Sequence, residues 1–514
     1  MPSRRDVLRA GVAGAGAWLG GLRVAELLAA VPDTGGTPFT PSSGGAIESR
    51  DDLAYLTIAQ ASRMIAAGEI TPTDLVEACL ARVERHDPTI QAYLELTARQ
   101  ARAEAADATA EIRRGGPRSP LHGIPIAHKD LYDVAGLRTT AGSQVLADSE
   151  AARRDATVVH RLRRAGAIML GKTNTHEFAF GVWTPPTSNP WDTSRVPGGS
   201  SGGSAAALAG GMTLGATGSD TGGSLRIPSS LCNTATIKPT YGRCSRAGVV
   251  PLAWTLDHTG PMARAIEDCA LMLNVIAGPD DADPTTADVR VPDFTAGLAD
   301  GVAGMRIGVP STVFFDGAEA EVEALVRAAV PVLERLGAEV VTFDPPDTQY
   351  AAASAYLVIQ LTEPLAAHEH YLRQRPQDYQ QQTQVLLGLG AGFHGQHYVR
   401  AQRLRTINIQ QWLQIFERVD AVLTPTVPRV APPKQEAMVS GVFELVNYTS
   451  AFDFNGFPSV SVPAGFGETT GMPAGLMLSA RPFDEQRLLR IAYAYQQATG
   501  FGARRPPLDV TIQR

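Results

Sequence analysis

Apolar residues recur at three- and four-residue spacing over residues 57–114, where Leu75, Cys79 and Val83 share one face. This spacing lines one side of an α-helix with apolar side chains, so the segment predicts two or three helices. Residues 318–336 predict a single amphipathic helix by the same argument. Further helices are predicted over residues 157–164, 266–276 and 485–499, and over much of 360–412.

Short apolar runs with turn residues at their ends predict buried strands. They cover residues 121–134, 167–170, 305–309, 339–343, 419–423, 459–462 and 476–478. Strands that alternate with helices favour an α/β fold with a mostly covered sheet. Residues 185–250 differ from the rest, because they are rich in turn residues and unusually dense in Gly and Ser.

The first thirty residues have the order of an export signal. Arg4 and Arg5 form a twin-arginine pair, an apolar run covers residues 10–22, and Ala29 and Ala30 precede Pro32. We expect a signal peptide at 1–31, a flexible leader at 32–45 and a single domain at 46–514. The apolar run is too short to span a bilayer, so no stable membrane anchor is expected after cleavage. The alternative is a chance arginine pair on a membrane-surface helix.

That signal implies a periplasmic or secreted bacterial protein. The net charge of −7 argues against nucleic-acid binding through an overall basic surface. The four cysteines have no zinc spacing and the ten histidines include no HExxH motif, so neither a metal nor a cofactor is expected. A Cys232–Cys244 disulfide and free buried thiols both remain open.

Lysine is rare in this chain and occurs only at Lys129, Lys172, Lys238 and Lys434. Unlike arginine, lysine can lose its proton at workable pH. Lys129 lies on the apolar face of the predicted strand GIPIAHKD, where burial would lower its pKa and produce a general base. The alternative is a structural lysine paired with Asp133.

Two Gly/Ser-rich segments carry the remaining candidate chemistry, PGGSSGGS at 197–204 and GSDTGGSLR at 218–226. Glycine lets successive N–H groups point at one oxyanion. The candidate donors are the N–H groups of Thr221, Gly222, Gly223 and Ser224. A serine at the end of this turn could attack a carbonyl carbon if a base took its proton. Neither segment contains histidine, so the candidate base is a lysine, directly or through a second serine.

Other interpretations of the glycines remain. A GxSxG elbow would make Ser201 the nucleophile, with a histidine such as His368, His370, His394 or His397. Gly390, Gly392 and Gly395 match a dinucleotide pattern, although no clear βαβ unit surrounds them. A Gly/Ser-rich turn without chemistry is the simplest alternative.

Taken together, these segments resemble the amidase signature family, which is defined by its GGSSGGS…GSDTGGSxRxP region. Landmarks that also resemble the family follow in its order along the chain: residues 123–130, 171–174, 238–240, 260–264, 456–458 and 482–485. The resemblance implies one α/β domain with a central mixed sheet covered by helices on both faces. It also implies a variable specificity region at about 270–415.

The resemblance assigns a Ser–cisSer–Lys triad to this chain. Ser224 would be the nucleophile, Lys129 the base, and Ser200 the relay, with a cis bond either before or after Ser200. The four N–H groups from Thr221 to Ser224 would form the oxyanion hole. Hydrogen bonds from Ser201, Asp220 and Arg226 would brace the site.

Other residues take non-catalytic roles in this comparison. Lys172 and Lys238 would be structural, and Lys434 is expected to be solvated. Asp453 and Asn455 stand where the family more often carries Asn and Thr.

The implied activity is hydrolysis of the C–N bond of linear amides, with esters and carbamates as further substrates. The substrate would be a small molecule, and homodimers are frequent in the family. An alternative is the catalytic subunit of a glutamine-dependent tRNA amidotransferase. A third is a catalytically silent binding protein.

Overall fold

The computed structural model describes residues 49–509, so the predicted signal and leader lie outside the described part of the chain. One mixed sheet of eleven strands runs through the described residues. In chain order the strands are β1 (Tyr93–Leu96), β2 (Pro125–Lys129), β3 (Ile168–Thr173), β4 (Gly215–Asp220), β5 (Ala235–Lys238), β6 (His258–Ala263), β7 (Arg306–Pro310), β8 (Glu339–Phe343), β9 (Ala421–Pro425), β10 (Ser459–Phe466) and β11 (Pro473–Ser479).

The order across the sheet is β1-β3-β2-β4-β6-β5-β10-β11-β9-β7-β8. Strands β3, β2 and β4 run parallel, as do β8, β7 and β9, and the remaining pairs are antiparallel. Every residue of β2, β3, β4 and β6 is buried. Because neighbouring side chains point to opposite faces, both faces of this region are covered. The α/β prediction is therefore confirmed, with helices on both faces of the sheet.

Sixteen helices lie in the described chain. They are α1 (Arg50–Ala54), α2 (Ile58–Ala67), α3 (Pro72–Ile90), α4 (Ala98–Gly115), α5 (Thr157–Ala165), α6 (Gly202–Ala209), α7 (Arg226–Leu231), α8 (Ile266–Ile276), α9 (Ala320–Arg327), α10 (Ala329–Arg335), α11 (Gln349–Gln374), α12 (Gln381–Gly390), α13 (Gly395–Ile415), α14 (Lys434–Ser440), α15 (Ser450–Phe454) and α16 (Glu485–Thr499). The predicted helices at 157–164, 266–276, 360–412 and 485–499 are confirmed.

Local sequence explains where α3 begins. Thr71 Oγ1 accepts a hydrogen bond from the N–H of Asp74, and the Asp74 carboxylate accepts one from the N–H of Thr71 at 2.8 Å. Pro72 occupies the first helical position, where its missing N–H costs nothing. Leu75 and Cys79 then face the core, as the spacing predicts.

Two predictions of local structure are wrong. Residues 318–336 form two helices, α9 and α10, because Pro331 has no N–H to donate to the carbonyl of Arg327 in a continuous helix. Strand β1 was not predicted, because only Tyr93 of its four residues is buried and its sequence shows no alternation.

All four cysteines are buried and unpaired, so the Cys232–Cys244 disulfide is not formed. Within residues 49–509, no helix is both long and apolar enough to cross a bilayer.

Candidate active site

Lys129 is the last residue of β2, and its side chain is completely buried. Its Nζ donates hydrogen bonds to Ser200 Oγ at 2.7 Å and to Ser219 Oγ at 2.9 Å. Burial lowers the pKa of Lys129 to about 7, against the smaller raising effects of Asp220 and Asp257. A substantial share of these amines is therefore neutral near pH 7.

Strand alternation sends Asp130 away from Lys129, to the Nζ of Lys172 at 2.8 Å. Asp133 accepts its hydrogen bond from Thr139 Oγ1 at 2.8 Å. The alternative in which Lys129 pairs with Asp133 is therefore wrong.

The remaining lysines differ in their surroundings. Lys238 is completely buried, and its Nζ lies 3.2 Å from His258 Nε2. Lys434 is half-buried and donates to Ser188 Oγ at 2.6 Å, which corrects its prediction as a solvated side chain.

The Gly/Ser-rich loop before α6 places Ser200 beside the amine of Lys129. The Gly199–Ser200 peptide bond is cis, so the cis bond that the resemblance implies lies before Ser200 and not after it. A Cβ on Gly199 would lie 2.6 Å from Trp183 N, and one on Gly203 would lie 2.5 Å from Asn174 O. Only glycine allows this loop to approach the neighbouring backbone so closely.

Ser224 lies in the turn between β4 and α7, with 6% of its surface exposed. The N–H of Ser201 donates to Ser224 O at 3.4 Å and joins the two Gly/Ser-rich segments. The Gly223 N–H is already donated to Asp220 Oδ1 at 2.6 Å. Three of the four predicted oxyanion donors make no hydrogen bond within residues 49–509, namely the N–H groups of Thr221, Gly222 and Ser224. They remain free to bind an oxyanion.

Asp220 and Arg226 brace this turn from within the core. Arg226 donates from Nε to Asp220 Oδ2 and from its Nη2 to Asp220 Oδ1, both at 3.0 Å. Burial alone would raise the pKa of Asp220, but the Arg226 guanidinium holds it well below its ordinary value. Arg226 also contacts Asp453, a residue that the sequence marked only as a departure from the family.

Ser201 does not occupy a nucleophile's position. It is completely buried, and its Oγ donates to Ser219 O at 3.2 Å. Ser201 makes no hydrogen bond with a histidine anywhere in the described chain, and His368 binds the hydroxyl of Tyr379 instead. These contacts argue against the GxSxG interpretation.

The dinucleotide interpretation of Gly390, Gly392 and Gly395 is wrong. This run joins helix α12 to helix α13, whereas such a motif requires a strand before its glycines.

Sequence reasoning missed two residues of the site. Ser219 Oγ accepts a hydrogen bond from the Lys129 amine, as Ser200 Oγ does. Ser219 and Thr217 share one face of β4, and Thr217 Oγ1 accepts a hydrogen bond from the N–H of Lys129 at 3.3 Å. The alternation along β4 is visible in the sequence, but the pairing of β4 with β2 is not. Tyr356 is the second, since its hydroxyl would lie 2.0 Å from a Cβ on Gly222. Tyr356 comes from α11, and no local signal connects that helix to the turn.

A cavity of about 280 Å³ adjoins the site at Ser219 and Thr221. Much of its wall is apolar, with contributions from Leu131, Ala179, Val249, Val250, Pro251 and Leu252. The cavity is therefore suited to a compact apolar group next to the reacting carbonyl.

Asp257 connects this cavity to the oxyanion turn. Its carboxylate accepts from Thr221 Oγ1 at 2.7 Å, from the N–H of Leu252 at 2.8 Å and from that of Ala253 at 3.0 Å. This negatively charged carboxylate in the cavity wall therefore already accepts hydrogen bonds from the protein itself.

Arg246 is the positive group of the same wall. Its guanidinium lies between the rings of Tyr241 and Trp254, at 5.0 and 4.7 Å from their centroids, and its Nε lies 3.4 Å from Asp283 Oδ2. It therefore also has partners within the protein. No group of three or more His, Cys, Asp or Glu side chains in residues 49–509 could hold a metal ion.

Known proteins resemble this chain along most of its length. The amidase family model matches residues 74–489. A glutamyl-tRNA(Gln) amidotransferase subunit of Chloroflexus aggregans is 42% identical over 486 residues, covering 89% of this chain and 99% of the relative. Several further relatives at 40–42% identity bear the same subunit name. An amidase of Pseudomonas putida is 43% identical over 465 residues, covering 89% of this chain and 98% of the relative.

Among solved structures, similarity is found to one described as a vestigial protein complex that reveals the evolutionary origins of an s-triazine catabolic enzyme. The TM-score is 0.82 at 37% identity, over 87% of this chain and 99% of the other. The family match covers well over half of the chain. The matched residues include Lys129 and both Gly/Ser-rich segments beside it. The chain belongs to the amidase signature family.

Proposed function

We propose that this protein cleaves the C–N bond of an amide through an acyl intermediate on Ser224. The observation that carries the proposal is the hydrogen bond between the buried amine of Lys129 and Ser200, at 2.7 Å. A neutral amine in this position can accept a proton, and the neighbouring turn offers free N–H groups for an oxyanion.

In this mechanism Ser224 Oγ forms a bond to the carbonyl carbon, while its proton passes to Ser200 and the Ser200 proton passes to Lys129. The carbonyl oxygen becomes an oxyanion beside the N–H groups of Gly222 and Ser224. The C–N bond then breaks, and the leaving nitrogen takes the proton back along the same path. Water attacks the acyl group in the second half, which releases a carboxylic acid and restores Ser224.

For the amide itself, the relatives favour glutamine. Most of the compared relatives bear the name of a glutamyl-tRNA(Gln) amidotransferase subunit, and the coverage of both chains is nearly complete. We therefore propose first that the chain releases ammonia from glutamine as the catalytic subunit of a tRNA-dependent amidotransferase, together with protein partners.

A stand-alone amidase for linear amides is the second candidate. It is supported by the Pseudomonas putida amidase at 43% identity and by the apolar cavity, whose charged groups Asp257 and Arg246 already have protein partners. The predicted export signal also favours this candidate, because export would separate the chain from tRNA. On this view the protein acts in the periplasm or outside the cell.

The experiment measures ammonia and acid release by the purified full chain. Glutamine is offered alone and together with partner subunits and tRNA, and a panel of short alkyl and aryl amides is offered to the chain by itself. Stimulation of glutamine cleavage by partners supports the first candidate. Turnover of simple amides without partners supports the second.

Ser224→Ala tests the chemistry that both candidates share. We expect turnover to fall by at least about 10³-fold, because the nucleophile is lost. Ser230→Ala is the matched control, since Ser230 is also buried and its hydroxyl has no hydrogen-bond partner in residues 49–509. Near-normal turnover in Ser224→Ala would exclude Ser224 as the nucleophile.

A further inference from the structure

Two buried carboxyl groups converge on the guanidinium of Arg226 beneath the Ser224 turn. Asp220 and Asp453 both contact its Nη2, and none of the three side chains is exposed to solvent. Asp453 comes from α15, which is 227 positions from Arg226 in the chain. One guanidinium therefore neutralises at most one of these two carboxyl groups.

The two carboxyl groups are not equivalent. Asp220 accepts two hydrogen bonds from Arg226 and two from the backbone, the N–H groups of Gly223 at 2.6 Å and Leu225 at 3.0 Å. Four donors strongly favour an ionised carboxylate. Asp453 accepts from Arg226 through Oδ2 alone, and its Oδ1 is buried without a hydrogen bond in the described structure.

Nδ1 of His258 lies 3.6 Å from this unpaired oxygen. That nitrogen lies 3.2 Å from the carbonyl oxygen of Asp220, which places the hydrogen of a neutral ring on Nδ1. Nε2 is then left to accept from Lys238 at 3.2 Å. The hydrogen on His258 Nδ1 is thus donated to the carbonyl oxygen of Asp220, so it does not stabilise a negative charge on Asp453.

The titratable and charged groups that face Asp453 come from six elements: Asp220, Arg226, Lys238, His258, Tyr356 and Arg405. Burial lowers the pKa of Lys238 to about 7 and that of His258 well below its ordinary value. Burial likewise raises the pKa of Asp453, and the neighbouring Asp220 charge adds to this effect while Arg226 opposes it.

We propose that Asp453 is a positioning residue for the Ser224 turn and that it works in its protonated form. A neutral Asp453 accepts from Arg226 without competing with Asp220 for the positive charge. Asp220 then keeps both of its oxygens on the Gly223 and Leu225 N–H groups, which orients the turn that carries Ser224. Loss of the Asp453 proton pulls Arg226 toward the new charge and disturbs that orientation.

This inference rests on the proposed role of Ser224, and Asp453→Asn tests it because an amide copies the shape and charge of a protonated carboxyl. We expect kcat to stay within about threefold of the wild type at neutral pH. Asp453→Ala removes the acceptor, and we expect kcat to fall about 10²-fold with a smaller change in KM. In the wild type, kcat/KM should decline at alkaline pH as Asp453 ionises, and this decline should be absent from Asp453→Asn.

Two outcomes would overturn the inference. The first is a loss of kcat in Asp453→Asn as large as in Asp453→Ala, since the site would then require an ionised Asp453. The second is an identical alkaline limb in Asp453→Asn and the wild type.

Unfolding measurements keep the test independent of catalysis. A carboxyl group whose pKa is raised on folding destabilises the folded state as pH rises above the pKa of the unfolded chain. The unfolding free energy of the wild type should therefore fall with pH relative to that of Asp453→Asn. If the difference in unfolding free energy between the wild type and Asp453→Asn stayed constant with pH, a protonated Asp453 would be rejected, whether or not Ser224 is the nucleophile. If Ser224→Ala kept its turnover, only the catalytic proposal would be rejected.

Discussion

Lys129→Arg distinguishes a lysine that accepts a proton from one that only supplies positive charge. Arginine keeps its charge at every accessible pH, whereas the buried amine of Lys129 has its pKa lowered to about 7. Both side chains can donate to Ser200 and Ser219. The substitution therefore preserves a donor and removes the base.

The magnitude follows from the buried position of the amine. At pH 7 an ordinary lysine is neutral in about 0.03% of molecules, and a group with a pKa near 7 is neutral in about half. Burial thus raises the population of the base by about 10³-fold at this pH. We expect Lys129→Arg to lower kcat/KM by at least about 10³-fold, which is within the usual range for general bases.

The assay is the pH dependence of kcat/KM for amide hydrolysis between pH 5 and 9. In the wild type, the rate should fall about tenfold for each pH unit below 7, because protonation of Lys129 removes the base. Lys434→Arg is the matched control, since Lys434 is far less buried and binds Ser188 rather than the catalytic serines. Its profile should coincide with that of the wild type.

Two results would refute this reasoning. Retained activity in Lys129→Arg would show that no neutral amine is needed at this position. A wild-type profile without an acidic limb near pH 7 would show that another group sets the protonation state.

Two further predictions concern the turn and the core. Gly222→Ala should lower kcat/KM at least about tenfold, because the new Cβ would lie 2.0 Å from the Tyr356 hydroxyl. Adding Tyr356→Phe should restore part of the loss in the same assay, and a double variant no better than Gly222→Ala would contradict the steric explanation. Trp412→Ala should lower the free energy of unfolding by about 3–5 kcal/mol in urea titrations, because this side chain is completely buried. Trp254→Ala, where 53% of the surface is exposed, is the control and should cost less than about 1 kcal/mol.

Much of the fold was accessible from periodicity. Helix α8 and strand β8 have the boundaries that their sequences predict. Helix α8 has a buried apolar face of its own, and β8 is a short, mostly apolar run. The two failures have local causes. Pro331 interrupts an otherwise amphipathic helix, and β1 lies at an edge of the sheet where three of its four residues are exposed.

Local properties of the chain indicated candidate groups of the site, and the family resemblance assigned Lys129, Ser200 and Ser224 to one triad. Lys129 is the last residue of an apolar strand, and Ser200 and Ser224 lie in glycine-rich segments that indicate close backbone approaches. Strand alternation and the freedom of glycine are local properties, so they can be read without knowing what lies across the fold. Ser219 was missed because alternation along β4 does not reveal that β4 pairs with β2, the strand of Lys129.

Only the tertiary structure showed which distant groups support this site. Asp453 reaches Arg226 from a helix far along the chain, and Tyr356 reaches Gly222 from helix α11. The pKa of Lys129 depends on complete burial by elements on all sides, and the free N–H groups of the Ser224 turn depend on how Asp220 is held. Burial and long-range charge pairing are properties of three-dimensional neighbours, and no spacing along this chain encodes them locally.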